Sequence, residues 1–220
     1  MIGDTVIILP IHRKKAKLII PYIVNLVEQQ KKNDEKIKVV VAIAGSSGTG
    51  KTEVATIIQQ MLWQKYQIRA KQIHIDDFYK THWQERYKVR LQKGIKSVGH
   101  KEINFTKLNR IIKNFKIGHC KLYTQRIHRW TNSLEHVIAN ANCIDVLLVE
   151  GIYALYLKQF DIGIYLEGTP EQTLKFRKRR KKENEDDPFR KEIVKKETQE
   201  AVASKTRAHL IVTWEGEIIK

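Results

Sequence analysis

The chain has 220 residues, 42% of them apolar, with 41 lysines and arginines against 24 acids for a net charge of +17. That length and apolar content suit one large domain with a substantial core and exclude a chain disordered throughout. The best apolar runs, 18–24 and 144–149, fall far short of the ~20 residues that span a bilayer, so no membrane partner is expected.

Residues 13–34 read as helical, with Leu18, Ile19, Tyr22, Ile23, Leu26 and Val27 recurring at helical spacing. Pro21 predicts a first turn or a kink there, and with it a division into two helices. Residues 38–44 form a β-rich apolar run short enough for a buried parallel strand. An amphipathic helix over 53–66 carries Val54, Ile57, Ile58, Met61 and Leu62 on one side, and 70–75 reads as a second strand. The stretch 76–141 is polar and aromatic, with one clear helix near 106–115. Strands follow at 144–149 and 162–166, helices at 170–182 and 188–204, and a last strand at 209–214. Strands alternating with helices predict a parallel sheet covered on both faces. The alternation breaks only in the middle, where an α/β enzyme would carry a substrate-binding insertion.

Gly45-Ser46-Ser47-Gly48-Thr49-Gly50-Lys51-Thr52 fits the phosphate-loop pattern, between a strand and a helix as that pattern requires. Glycines let the backbone curl so that its N–H groups face a phosphate, and the helix that follows adds the positive end of its dipole. Lys51 would reach the β- and γ-phosphates, and the Thr52 hydroxyl would hold Mg²⁺. Asp145-Val146-Leu147-Leu148-Val149-Glu150-Gly151 is a buried strand ending in a carboxylate, which places Glu150 at the sheet edge beside that loop. Glu150 is then a Mg²⁺ ligand, direct or through water, while Asp145 at the far end is a structural cap. Ile73-His74-Ile75-Asp76-Asp77-Phe78-Tyr79-Lys80 closes the second strand with two acids. Phosphoryl transfer to an alcohol needs a carboxylate to accept the hydroxyl proton, and Asp76 is well placed for it. Asp77 would serve the metal or cap a helix.

These elements, together with Tyr123-Thr124-Gln125-Arg126-Ile127-His128 and Val149-Glu150-Gly151-Ile152-Tyr153-Ala154-Leu155, occur in an order that resembles uridine kinase and its relatives, the phosphoribulokinase-like P-loop kinases included. The resemblance runs from about residue 38 to 212. It implies that Asp76 is the catalytic base and Tyr79 a substrate-pocket aromatic. Tyr123 and His128 become the pair holding a nucleoside base, Glu150 the magnesium carboxylate, and Arg177 and Arg180 the lid arginines that clamp phosphates. A mobile arginine lid would supply charge to the transferring group and expel water on closure. Where uridine kinases carry an Asp-rich segment for the ribose hydroxyls, this chain has 98–105, in which Glu102 or Asn104 could bind a polyol. The family's further lid arginines find no counterparts, because 183–187 is acidic.

The resulting expectation is an α/β P-loop NTPase kinase fold: a parallel sheet of about five strands with helices on both faces, a substrate insertion and a lid. A helical extension occupies 1–37 and the kinase domain 38–220, with the insertion at about 76–141 and the lid at about 177–190. ATP (or GTP) and Mg²⁺ are the implied donor and cofactor, and the acceptor is a primary alcohol, foremost the 5′-hydroxyl of uridine or cytidine. Another small alcohol (a sugar, a sugar phosphate or a vitamin precursor) is the nearest alternative. The net charge supports a rival from another class, a basic nucleic-acid-binding protein or polynucleotide 5′-kinase. Most lysines fall singly on helix faces, however, and the dense run 177–182 meets acids at once, so nucleic acid is the weaker reading. Residues 1–5 show no start of a secretory signal, and Cys120 and Cys143 have no paired spacing, so a reducing cytoplasm is the expected setting. A homo-oligomer is compatible with the sequence.

Overall fold

The computed structural model describes residues 6–33, 37–128, 130–180 and 183–220. Five strands build the main sheet: β1 (Val39–Gly45), β2 (Ala70–His74), β5 (Val146–Glu150), β6 (Ile162–Leu166) and β7 (Leu210–Val212). Their order is β2-β5-β1-β6-β7 and every pairing is parallel. β1, β5 and β6 are buried along their whole length, as apolar strands covered on both faces must be.

Alternation along the strands divides the core in two. Val39, Val41 and Ile43 face helices α1 (Pro10–Asn33) and α2 (Lys51–Tyr66), which contribute Ile19, Ile23, Ile57 and Ile58 to that layer. Val40, Ala42 and Ala44 face the other side, covered by α4 (Phe105–Lys116) and α6 (Pro188–Ser204) through residues such as Leu108, Phe115 and Ala201. Helix α5 (Pro170–Arg180) follows β6. The extension before β1 therefore packs on the sheet as part of the core.

α1 is one helix, not two. Pro21 lies inside it. A proline there removes one helical hydrogen bond, but Ala16, Ile19, Ile20, Ile23 and Val27, all buried, anchor both halves to the same layer. Packing of a continuous apolar stripe outweighs the local break.

The middle stretch holds more structure than its composition signals. Besides α4 it contains helix α3 (Trp83–Lys93) and an antiparallel hairpin of β3 (Lys121–Ile127) and β4 (Leu134–Asn140). α3 buries only Arg90, so it has no apolar stripe to read. In the hairpin, Leu122, Thr124, Gln125 and Ile127 are buried, whereas Tyr123 and Ile138 pair on its exposed face. Lys181 and Lys182, the end of the basic run within the expected lid, lie outside the described residues.

Asp145 has the structural role its position predicts. It accepts hydrogen bonds from the Arg69 backbone N–H at 2.8 Å and from the Arg69 guanidinium at 3.0 and 2.7 Å, closing the sheet edge away from the phosphate loop.

Candidate active site

Three adjacent strands, β2, β5 and β1, end side by side, and the chain leaves each of them with a different chemical group. β1 ends in the glycine-rich loop, β5 in Glu150, and β2 runs into a single 3₁₀ turn, Ile75–Phe78, that carries Asp76. The C-terminal edge of a parallel sheet is where such folds gather their ligands.

Gly48 and Gly50 both adopt φ +87°, which a side chain would strain. Space forbids one as well: a Cβ on Gly50 would stand 2.7 Å from the His12 ring, and one on Gly48 3.0 Å from Arg177 Cγ. The loop is thus pressed between α1 and α5. Lys51 is buried and donates to the Ser46 carbonyl at 2.8 Å. Burial pushes its ammonium pKa down, with Glu150 opposing.

The register of β2 on β5 sets His74 beside Glu150. His74 Nδ1 lies 2.5 Å from Glu150 Oε1, and Thr52 Oγ1 donates to the same oxygen at 2.9 Å. Burial alone would raise the Glu150 carboxyl, but the His74 hydrogen bond, the charges of His74 and Lys51, and the Thr52 hydroxyl hold it at about 2. A hydroxyl and an ionised carboxylate in contact are hard oxygen donors that fit Mg²⁺, which characteristically takes one or two protein ligands and fills the rest with phosphate and water. Among the described residues no group of three or more His, Cys, Asp or Glu forms an all-protein metal cage. Thr52 and Glu150 would hold the ion, which in such sites neutralises charge on the transferring phosphates.

Asp76, Tyr79, Lys51, Thr52, Glu150, Arg177 and Arg180 all line one cleft of about 110 Å³. Asp77 does not line it. Its buried carboxylate accepts the Ile127 N–H at 3.1 Å and its carbonyl accepts the Gln125 amide, so it ties the hairpin to the turn.

Four expected contacts of the acceptor are elsewhere. Tyr123 is 58% exposed on the outer face of the hairpin, and His128 pairs with Glu135 at 3.2 Å. Tyr123 lies on β3 and His128 just past its end, and neither lines the cleft. Glu102 receives the Arg90 guanidinium at 2.9 and 2.8 Å and the Gly99 N–H at 3.0 Å, and Asn104 caps α4 by accepting from Lys107 N. Both carboxylate oxygens of Glu102 and the amide oxygen of Asn104 are thereby engaged in structural contacts.

The cleft also holds residues that motif reading missed: His74, Arg86, Arg90, Arg190 and Glu197. Trp83, Arg86 and Arg90 recur on α3 at spacings of three and four, one helix face. That periodicity in charged and aromatic residues was the available signal. The acidic segment after α5 works with these arginines. Arg90 pairs with Glu197 at 3.0 Å, Glu197 reaches Arg190 at 3.7 Å, Arg190 meets Glu185 at 3.4 Å, and Glu185 holds Arg177 at 2.8 Å. Arg180 pairs with Glu53 of α2 at 2.6 Å. The arginines expected as a lid are, in this structure, held by carboxylates at the cleft wall.

One relative, the bifunctional alpha-galactosidase/sucrose kinase AgaSK of Mediterraneibacter gnavus, is 28% identical over 193 residues, covering 82% of this chain and 20% of that protein. The chain thus spans about a fifth of that relative's length. Among solved structures, D-glycerate 3-kinase from Cryptococcus neoformans superposes with TM-score 0.59 at 13% identity, covering 93% of this chain and 97% of the other. Phosphoribulokinase from Rhodobacter spheroides superposes with TM-score 0.58 at 13% identity, covering 82% and 71%. At those identities the likeness is one of fold. The sequence itself matches the Phosphoribulokinase / Uridine kinase family over residues 40–186. The chain therefore belongs to the phosphoribulokinase/uridine kinase family.

Proposed function

We propose that this chain transfers the γ-phosphoryl group of ATP to a hydroxyl of a small, highly polar acceptor of the sugar or sugar-derived class. One observation carries the reading: Asp76 opens into the same narrow cleft as Lys51 and the Thr52–Glu150 pair. The acceptor oxygen attacks the γ-phosphorus, its proton passes to an Asp76 oxygen, and the bond to the β-phosphate oxygen breaks with its electron pair leaving on ADP. Lys51 and the loop amides hold the donor, while Arg177 and Arg180, held at the cleft wall by Glu185 and Glu53, would offset charge on the transferred group on leaving those partners.

The uridine or cytidine 5′-hydroxyl is the less favoured acceptor. That assignment needed Tyr123 and His128 around a base, and neither lines the cleft. The cleft wall is instead dominated by arginine and glutamate, suited to a dense set of hydroxyl or acidic groups. The sucrose kinase named in the 28%-identical relative supports a sugar-like acceptor as well. Coupled ADP-release assays with sugars, sugar acids, sugar phosphates and nucleosides test the reading. Acceptor-dependent turnover from the first three groups, with Asp76→Asn inactive, is the expected outcome, and turnover confined to nucleosides would reverse it.

A further inference from the structure

We propose that the acceptor carries an anionic group, a carboxylate or a phosphate monoester, gripped by the Nε–Nη2 edge of Arg86; this rests on the kinase reading above. Arg86 sits on α3, in the cleft that also holds Asp76 and Lys51. Its guanidinium lies over the Tyr79 ring, Cζ 3.3 Å from the centroid. Stacking on an aromatic face occupies the plane of the guanidinium and leaves its edges for hydrogen bonds.

The edge in question is unmet. Nε and Nη2 of Arg86 are both buried, and neither has a hydrogen-bond partner among the described residues. Buried donors are normally satisfied, and charged ones most of all. The neighbouring arginines show what satisfaction looks like here: Arg90 forks onto Glu102, Arg177 bonds Glu185, Arg180 bonds Glu53, and Arg190 bonds Glu183 at 2.5 Å. Arg86 pairs with no carboxylate among the described residues. Glu183 is close enough to feel its charge, but is committed to Arg190.

Two parallel N–H groups on one guanidinium edge match two oxygens of a carboxylate or phosphate, a geometry no neutral hydroxyl reproduces. Asp76 and Arg86 then define the acceptor: a hydroxyl at one end and an anion at the other. Beyond Arg86 the cleft adjoins a second cavity of about 500 Å³ bounded by Trp83, Tyr87 and Ile193, which gives room for whatever the anion is attached to.

The test first fills the phosphate loop with Mg²⁺ and a non-hydrolysable ATP analogue, so that added anions cannot bind there. Inorganic phosphate is then titrated calorimetrically into wild type, Arg86→Gln and Arg86→Lys. Saturable binding to wild type is expected, weakened at least about tenfold in both variants, because lysine keeps the charge but loses the fork. Affinity for the ATP analogue should stay within about twofold. No saturable binding to wild type below about 50 mM, equal binding by Arg86→Gln, or a weakened ATP analogue would each overturn the anion site. Glycerol, glycerate and glycerol 1-phosphate then share a skeleton and differ only in the anion, with sucrose as a larger neutral control. Higher kcat/KM on one anionic acceptor, with a raised KM and little-changed kcat in Arg86→Gln, supports the proposal and says which anion is read. Equal use of neutral acceptors with Arg86→Gln harmless refutes it and leaves the kinase intact. Phosphate bound through Arg86 without turnover of any acceptor retains the anion site and refutes the small-acceptor kinase.

Discussion

The donor side of the cleft and its acceptor side are built in opposite ways. The donor side is local: residues 45–52 supply loop, lysine and hydroxyl in one stretch, and only Glu150 and His74 come from elsewhere, placed by strand register. The acceptor side is assembled from α3, α5, α6 and the segment between the last two, joined by the chain Arg90–Glu197–Arg190–Glu185–Arg177. A loop that must curl around phosphates constrains a few contiguous backbone positions. A pocket that must position several buried charges needs carboxylates to compensate them, and those can come from any element within reach. The donor side is therefore a motif and the acceptor side a network.

Perturbing the two sides in turn tests that division. Asp76→Asn, at the junction between them, should lower kcat by about 10²–10⁴ while leaving the affinity for an ATP analogue unchanged. Steady-state kinetics alongside calorimetry would show it, and near-native kcat would remove the base from the scheme. On the acceptor side, Glu197→Ala strands the buried Arg90 and Arg190 and should cost about 3–5 kcal/mol in urea unfolding. A loss under about 1 kcal/mol would show that the network is not a structural unit.

On the donor side, Gly50→Ala meets both a positive φ and the His12 ring, for an expected cost of about 1–3 kcal/mol with impaired ATP binding. A cycle with His12→Ala separates the two causes, since removing the ring relieves only the steric part. Additivity of the two changes would mean that α1 does not press on the loop.

Acid should reach the metal corner in a defined window. Glu150 titrates at about 2 when folded against an ordinary 4.5, so its contribution to stability is complete above about pH 4.5 and disappears as the pH falls toward 2. Glu150→Gln should flatten melting temperature against pH in that range, and an unchanged slope would count against the His74–Glu150–Thr52 cluster. The smallest effect concerns Lys15, buried on α1 with its ammonium 5.0 Å from the Trp214 ring centroid. Burial lowers its pKa to about 8 from 10.5. Between those values the unfolded chain binds more protons, so wild-type stability should climb from pH 8 to 10.5. Lys15→Met should remove that climb and stabilise the protein at pH 7 by about 1 kcal/mol, as thermal unfolding across pH would show.

Much of the architecture was legible because it is written in short-range patterns. Apolar runs at 38–44 and 144–149 marked strands β1 and β5, and the helical spacing of residues 54–62 marked α2, because a buried strand and an amphipathic helix each impose a period on the chain. α3 escaped because the face it turns inward is charged. Tyr123 and His128 stand outside the cleft, one on the outer face of the hairpin and the other against Glu135, a placement no motif reveals until the hairpin is known.

The phosphate loop, the strand-end carboxylate and the Asp76 turn each follow from residues within a few positions of one another. Folding was needed to bring His74 onto Glu150, to set residues 183–185 against arginines on α5 and α6, and to turn Arg86 into the cleft with an unmet edge. His74 and Glu150 are 76 positions apart in the sequence. Charge pairing depends on distance in space, and distance in space is set by how the layers pack.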